Sequence, residues 1–138
     1  MSTEPVLRVT VCSFGFGRSG APPLCADGGG FVFDCRGIEN PGLLQQFASK
    51  TGLDSDVKDF LDQHTAMPRF LHAIFELLTV AIVEHRQRGH TRVQVAFGCT
   101  GGQHRSVYAA EETKAWLALF GGDRLSIDII HTERDGWP

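Results

Sequence analysis

A chain of 138 residues, 42% hydrophobic and carrying a formal net charge of -3, has the size and composition of one globular domain. Such a domain buries about two-thirds of its unfolded surface without help from metals or disulfides. The mild acidity excludes the broad basic excess with which proteins hold nucleic acid non-specifically, and the longest apolar stretch, 70–83, is interrupted by His72 and Glu76 and is too short for a membrane span.

No charged n-region and apolar h-region precede a cleavage site, so no secretory signal is expected and the chain is assigned to the cytoplasm. Residues 6–12 alternate apolar and polar and predict a strand. Phe14-Gly15-Phe16-Gly17-Arg18 reads as a loop, continued by a Gly/Pro-rich connection through Pro22, Pro23 and Gly28-Gly29-Gly30. Residues 31–35 predict a second strand that ends at Asp34 and Arg36. Residues 37–54 lack periodicity and read as loop with one helical turn near Leu43–Phe47; Asn40, before Pro41, has the side chain of a turn former. A helix is predicted over 55–64 with Asp54 or Ser55 as N-cap, and Asp54, Asp56, Asp59 and Asp62 mark its solvated start.

A second helix begins near Pro68 and stops at Gly89. Its apolar residues nearly encircle the axis over 70–83, which predicts deep burial. The basic run His85, Arg86, Arg88, His90 and Arg92 suits a helix C-terminus; its functional reading is a patch for an RNA backbone. Strand 92–98 follows, then a helix over 106–119 ending at Gly121-Gly122, and a final strand 125–131 that carries His131. The order predicts an α/β fold: a single domain over 1–138, one small sheet of about four largely parallel strands with helical crossovers, and a phosphate loop at the C-terminal end of the third strand. Ser13–Arg18, Asp34–Arg36, Cys99–Ser106 and His131 all follow strands, and so are expected to face one crevice.

The chemistry concentrates in Gly98-Cys99-Thr100-Gly101-Gly102-Gln103-His104-Arg105-Ser106. Two glycines allow a tight curl, and the N–H groups of the curl and of the first helical turn lack partners within the helix. With the positive end of the helix dipole they make a socket for an anion. Arg105 adds a planar fork for two oxyanion oxygens, and Thr100, Ser106 and His104 add side-chain donors. Cys99, Arg105 and Ser106 also spell C-x5-R-S, the loop of cysteine-dependent phosphatases, in which a thiolate attacks phosphorus. Gly98 stands where such enzymes place His, and Asp34 or Asp135 would have to serve as general acid. His131 is a further acid–base or contact residue, while Asp34 and Arg36 either flank the crevice or pair with each other. The four cysteines, Cys12, Cys25, Cys35 and Cys99, form no C-x-x-C pair and fit reduced thiols; no metal or other cofactor is expected.

Ser13-Phe14-Gly15-Phe16, Phe33-Asp34-Cys35-Arg36, Asn40-Pro41, Thr51-Gly52-Leu53-Asp54 and the block Gly98–Val107 together resemble the C-terminal domain of the RapZ family of RNase adapter proteins. The likeness runs in order from about residue 9 to 131. It implies a domain that binds an amino-sugar phosphate and regulatory small RNAs and mediates self-association. It also implies that Cys99, Thr100, Gly101, Gly102, His104 and Arg105 line the phosphosugar pocket, with Ser13, Asp34, Arg36 and His131 around it. The expected function is therefore a stand-alone regulatory domain that binds a phosphorylated metabolite, either an amino-sugar phosphate or a nucleotide-like compound. A protein partner or a second copy of the chain completes the expected partners, and no membrane is among them. The alternatives are an RNA-binding adapter and a C-x5-R phosphatase using Cys99.

Overall fold

The computed structural model describes residues 5–25 and 29–138; Gly28 of the expected Gly/Pro-rich connection lies outside them. Strands β1 (Leu7–Gly15), β2 (Gly30–Asp34), β3 (Arg92–Cys99) and β4 (Leu125–His131) form one sheet in the order β2-β3-β1-β4, and every pair is parallel. Helices α1 (Ser55–His64), α2 (Met67–Gln87) and α3 (Arg105–Gly121) complete the α/β fold that the sequence predicts.

The pleat sorts the strand residues onto two faces. Leu7, Val9 and Val11 of β1 and Val93, Val95 and Phe97 of β3 join residues of all three helices in the main core. Cys12, Phe14 and Ala96 point the other way and are covered with Phe16 as a small separate cluster. The helices thus form a single layer on one face. Right-handed crossovers account for this. The step from β1 to β2 runs one way across the sheet, whereas the steps from β2 to β3 and from β3 to β4 run the other, so the first connection belongs on the opposite face. Phe16 packs there, and Gln94 Nε2 donates to Pro23 O at 3.0 Å. The neighbouring strands β1 and β3 therefore send their chains to opposite faces at their C-terminal ends.

Local chemistry sets the boundaries. Pro68 stands in the first turn of α2, and Gly89, at φ 75°, follows its C-cap. Asp54 occupies the N-cap position of α1, but its carboxylate accepts from Thr51 N–H at 2.8 Å instead of capping the helix. In the long loop, 3-10 turns span Pro41–Leu43 and Gln45–Phe47; Asn40 Oδ1 accepts from Gly42 N–H at 2.9 Å to open the first.

Two expectations are corrected. β1 continues to Gly15 because its last five residues, Val11–Gly15, are buried on both faces, which erases the alternation of a one-sided strand. α2 is not deeply buried: Met67, Leu71, Ile74, Leu78 and Ile82 form its inner stripe, while Leu77, Val80 and Val83 are 45%, 65% and 44% exposed. A single helical layer has nothing to place over its outer side. Among the described residues no single helix is long and apolar enough to cross a membrane.

Candidate functional site

The loop after β3 is pressed against the end of β1. Gly102 adopts φ 68°, and a Cβ there would lie 2.5 Å from Glu133 Cγ and 2.7 Å from Gly15 N. Gly15 is equally tight, since its Cβ would lie 2.7 Å from Gly101 C. Only glycine permits two backbones to approach so closely. Glu133 fastens the same region: Oε2 accepts from Gly15 N–H at 3.0 Å and Ser19 N–H at 3.1 Å, and Oε1 accepts from Ser19 Oγ–H at 2.9 Å. Trp137 Nε1–H donates to Gly102 O at 3.0 Å.

Burial alone would raise the Glu133 pKa, yet these donors hold it below the ordinary carboxylate range. A depressed folded-state pKa stabilises above the unfolded value of about 4.3 and is lost as pH falls through the folded value. Glu133→Gln is therefore expected to lose about 2 kcal/mol at pH 7 in urea unfolding, through weaker hydrogen bonds. The gap to the unsubstituted protein closes as the pH is taken below about 4.

Arg105, the first residue of α3, is 4% exposed. Nη1 donates to Ile38 O at 2.7 Å and to Arg36 O at 3.0 Å, and Nη2 lies 3.5 Å from Thr100 Oγ1. Nε is buried and has no hydrogen-bond partner. The side chain is thus a buried cation pinned along one edge with a donor unused. It borders a cavity of about 200 Å³ whose walls include Cys99, Thr100, Gly101 and His104. Asn40, Gly42, Ala48 and Gln103 close the cavity from the side of the long loop. Among the described residues, the N–H groups of Gly101, Gln103, His104 and Arg105 donate to no acceptor. Arg105 Nε and these loop N–H groups are thus donors without a protein acceptor beside the cavity.

His104 is buried, and burial keeps its imidazole below the ordinary pKa. Nε2–H donates to Phe47 O at 2.8 Å, which leaves the Nδ1 lone pair of the neutral ring near Gly42. Gln103 Nε2 ties the other wall by donating to Lys50 O at 2.7 Å and Ala48 O at 2.9 Å. Cys99 is 3% exposed; its thiol donates to Ser106 Oγ at 3.1 Å and accepts from Ser106 N–H at 3.4 Å. The Ser106 hydroxyl is thereby turned toward the thiol.

The other predicted residues occupy two neighbouring places. Ser13 and His131 meet each other below the sheet's end: Ser13 Oγ lies 2.6 Å from His131 Nδ1, and His131 Nε2 lies 2.6 Å from Glu111 Oε2 of α3. They form a buried polar chain linking β1, β4 and α3, and neither lines the cavity. Asp34 and Arg36 form an exposed two-point ion pair and do not line the cavity, with Nη2 to Oδ2 at 2.7 Å. That pairing holds the Asp34 carboxyl below its usual range.

Asn40, Gly42 and Ala48 as cavity walls, and Glu111, Glu133 and Trp137 as braces, escape a reading of the sequence. Glu133 reaches back 118 residues to Gly15, and no local pattern announces such a partner.

A family model described as the RapZ C-terminal domain matches residues 7–135. Among curated proteins, the chain is 40% identical over 127 residues to a protein of Thermotoga petrophila named "Nucleotide-binding protein", covering 92% of this chain and 42% of that one. Proteins with the same name from Fervidobacterium nodosum and Streptomyces griseus are 44% and 39% identical, covering 80% and 96% of this chain and 37% of each relative. The chain thus spans about two-fifths of the length of the relatives it matches, and their name describes the longer proteins. Because the family match takes in both walls of the cavity and nearly the whole fold, the chain belongs to the RapZ C-terminal domain family.

Proposed function

We propose that this domain binds a small phosphorylated metabolite, an amino-sugar phosphate or a nucleotide-like compound, with its phosphoryl group in the cavity beside Arg105, and that the bound state has a regulatory role. The observation that carries the reading is Arg105 itself, almost wholly buried with Nε unpartnered and bordering a cavity ringed by free amides. The cavity of about 200 Å³ holds a phosphoryl group and a little more. Amides, a helix N-terminus and a guanidinium fork are the donor set that a phosphate dianion selects. The relatives' name supports a phosphorylated ligand without fixing which one.

A thermal-shift panel of inorganic phosphate, sugar phosphates and nucleotides tests this. A ligand at a hundred times its dissociation constant stabilises by about 2.7 kcal/mol, a rise in Tm on the order of 10 °C for a domain of this size. If no phosphorylated compound raises Tm, the proposal fails.

A further inference from the structure

Two thiols meet where β2 and β3 end, on the side of the sheet that the helices cover. The register that sets Asp34 against Gly98 continues one step further, because Cys35 N–H donates to Gly98 O at 2.7 Å. That bond places Cys35 opposite Cys99 on adjacent parallel chains, whose backbones lie about 4.8 Å apart. Paired residues send their side chains to the same face, and both cysteines are buried in the main core. A disulfide spans Cα atoms about 4.4–6.8 Å apart, so this backbone accepts one. The remaining cysteines are placed differently. Cys12 stands between Ala96 and Ile130 in the sheet and belongs to the cluster on the other face, and Cys25 makes an isolated bridge with Gly29.

The paired thiols are free, and they differ in access. Cys99 borders the cavity of about 200 Å³, which has room for a peroxide molecule, whereas Cys35 is fully buried. Burial, with the Cys99 thiol adding to it, pushes the Cys35 thiol above its ordinary range, so it stays protonated.

We infer that Cys35 and Cys99 are a redox pair, which hydrogen peroxide entering the cavity closes into a disulfide, and that the closed form loses its hold on an anion beside Arg105. The Cys99 sulfur attacks one peroxide oxygen and the O–O bond breaks. The thiol proton leaves with the departing hydroxide as water, and Cys99 remains as a sulfenic acid. The Cys35 sulfur then attacks Cys99 Sγ, and its proton joins the expelled hydroxide as a second water. The thiol pair is oxidised and the peroxide is reduced to water.

The effect on the cavity follows from what Cys99 now holds. Its sulfur accepts from Ser106 N–H at 3.4 Å and its thiol donates to Ser106 Oγ at 3.1 Å, in the first turn of α3 beside Arg105. Turning toward Cys35 gives up both contacts. Cys35 also precedes Arg36, whose carbonyl accepts from Arg105 Nη1 at 3.0 Å. The new bond therefore pulls on two supports of the guanidinium. This consequence rests on the phosphoryl-binding reading given above, and the bond itself does not.

The test treats the chain with hydrogen peroxide, unfolds it in urea with iodoacetamide to block surviving thiols, and digests it with trypsin. Peptide 19–36 is expected to be joined to peptide 93–105, and dithiothreitol to separate them. Cys25 shares the first peptide, so the link is expected to persist in Cys25→Ser. It is expected to vanish in Cys35→Ala, where Cys99 goes on to a sulfinic acid. The oxidised protein is expected to bind inorganic phosphate at least about tenfold more weakly, with recovery on reduction. Thiols that are alkylated or separately over-oxidised, with no linked peptide, overturn the inference. A link that leaves the phosphate affinity unchanged overturns the switch. If the reduced protein binds no inorganic phosphate, the pocket reading falls and the switch with it, while the peptide map still decides the bond.

Discussion

Gly102→Ala is expected to lower stability by about 3 kcal/mol. Two costs combine. A residue with a Cβ at φ 68° enters the left-handed region at roughly 1–2 kcal/mol. The added carbon also meets Glu133 Cγ and Gly15 N at 2.5 and 2.7 Å, and overpacking of this kind costs about 1–3 kcal/mol. Neither neighbour can withdraw freely, because Gly15 N–H is the hydrogen-bond donor to Glu133 Oε2. The adjacent Gly101→Ala supplies the control. Its Cβ would meet nothing within 4 Å, and its φ is not positive, so a change of less than about 0.5 kcal/mol is expected. Urea midpoints of the two variants decide the matter. Equal losses at both positions would show that general loop stiffening, not the Gly102–Gly15 contact, sets the cost.

Arg105→Ala is expected to abolish the ligand-induced rise in Tm and to lower stability in the absence of ligand. The stability loss follows mainly from the buried Ile38 O, which loses a charged donor, an unsatisfied buried acceptor costing about 1–3 kcal/mol; the part-buried Arg36 O loses the same donor. Arg105→Lys separates the two effects. An ammonium keeps the charge and can reach one carbonyl, but it cannot present a fork to carbonyl and oxyanion together. That variant is expected to retain most of the fold's stability while binding inorganic phosphate at least about tenfold more weakly. Full retention of the thermal shift in Arg105→Ala would remove the guanidinium from the binding account.

The parts of this fold that depend on near neighbours in sequence were legible. Pro68 and Gly89 punctuate α2 because a missing N–H and a positive φ are local properties. Asn40 opens its turn with a partner two residues away, and Asp34 pairs with Arg36 over the same distance. Burial was less legible. A nearly continuous ring of apolar residues on α2 resembles a helix enclosed on all sides, whereas Leu77 and Val80 face outward because the sheet carries one helical layer. The convergence of strand ends was legible as topology, but its division was not. Ser13 and His131 lie on the helical side and find Glu111, while Arg36 folds back over Phe16. Which of two nearby groups a side chain joins depends on partners as far as 118 residues away. Periodicity carries no record of them.

The indole bond from Trp137 to Gly102 O gives the domain a built-in optical reporter. The other tryptophan, Trp116, is stacked between Phe75 and Phe120 at 4.6 and 4.9 Å, within a different part of the molecule. If the proposed ligand binds beside this loop, emission from Trp137 is expected to change while that of Trp116 serves as the internal reference, so occupancy could be followed without attaching a dye.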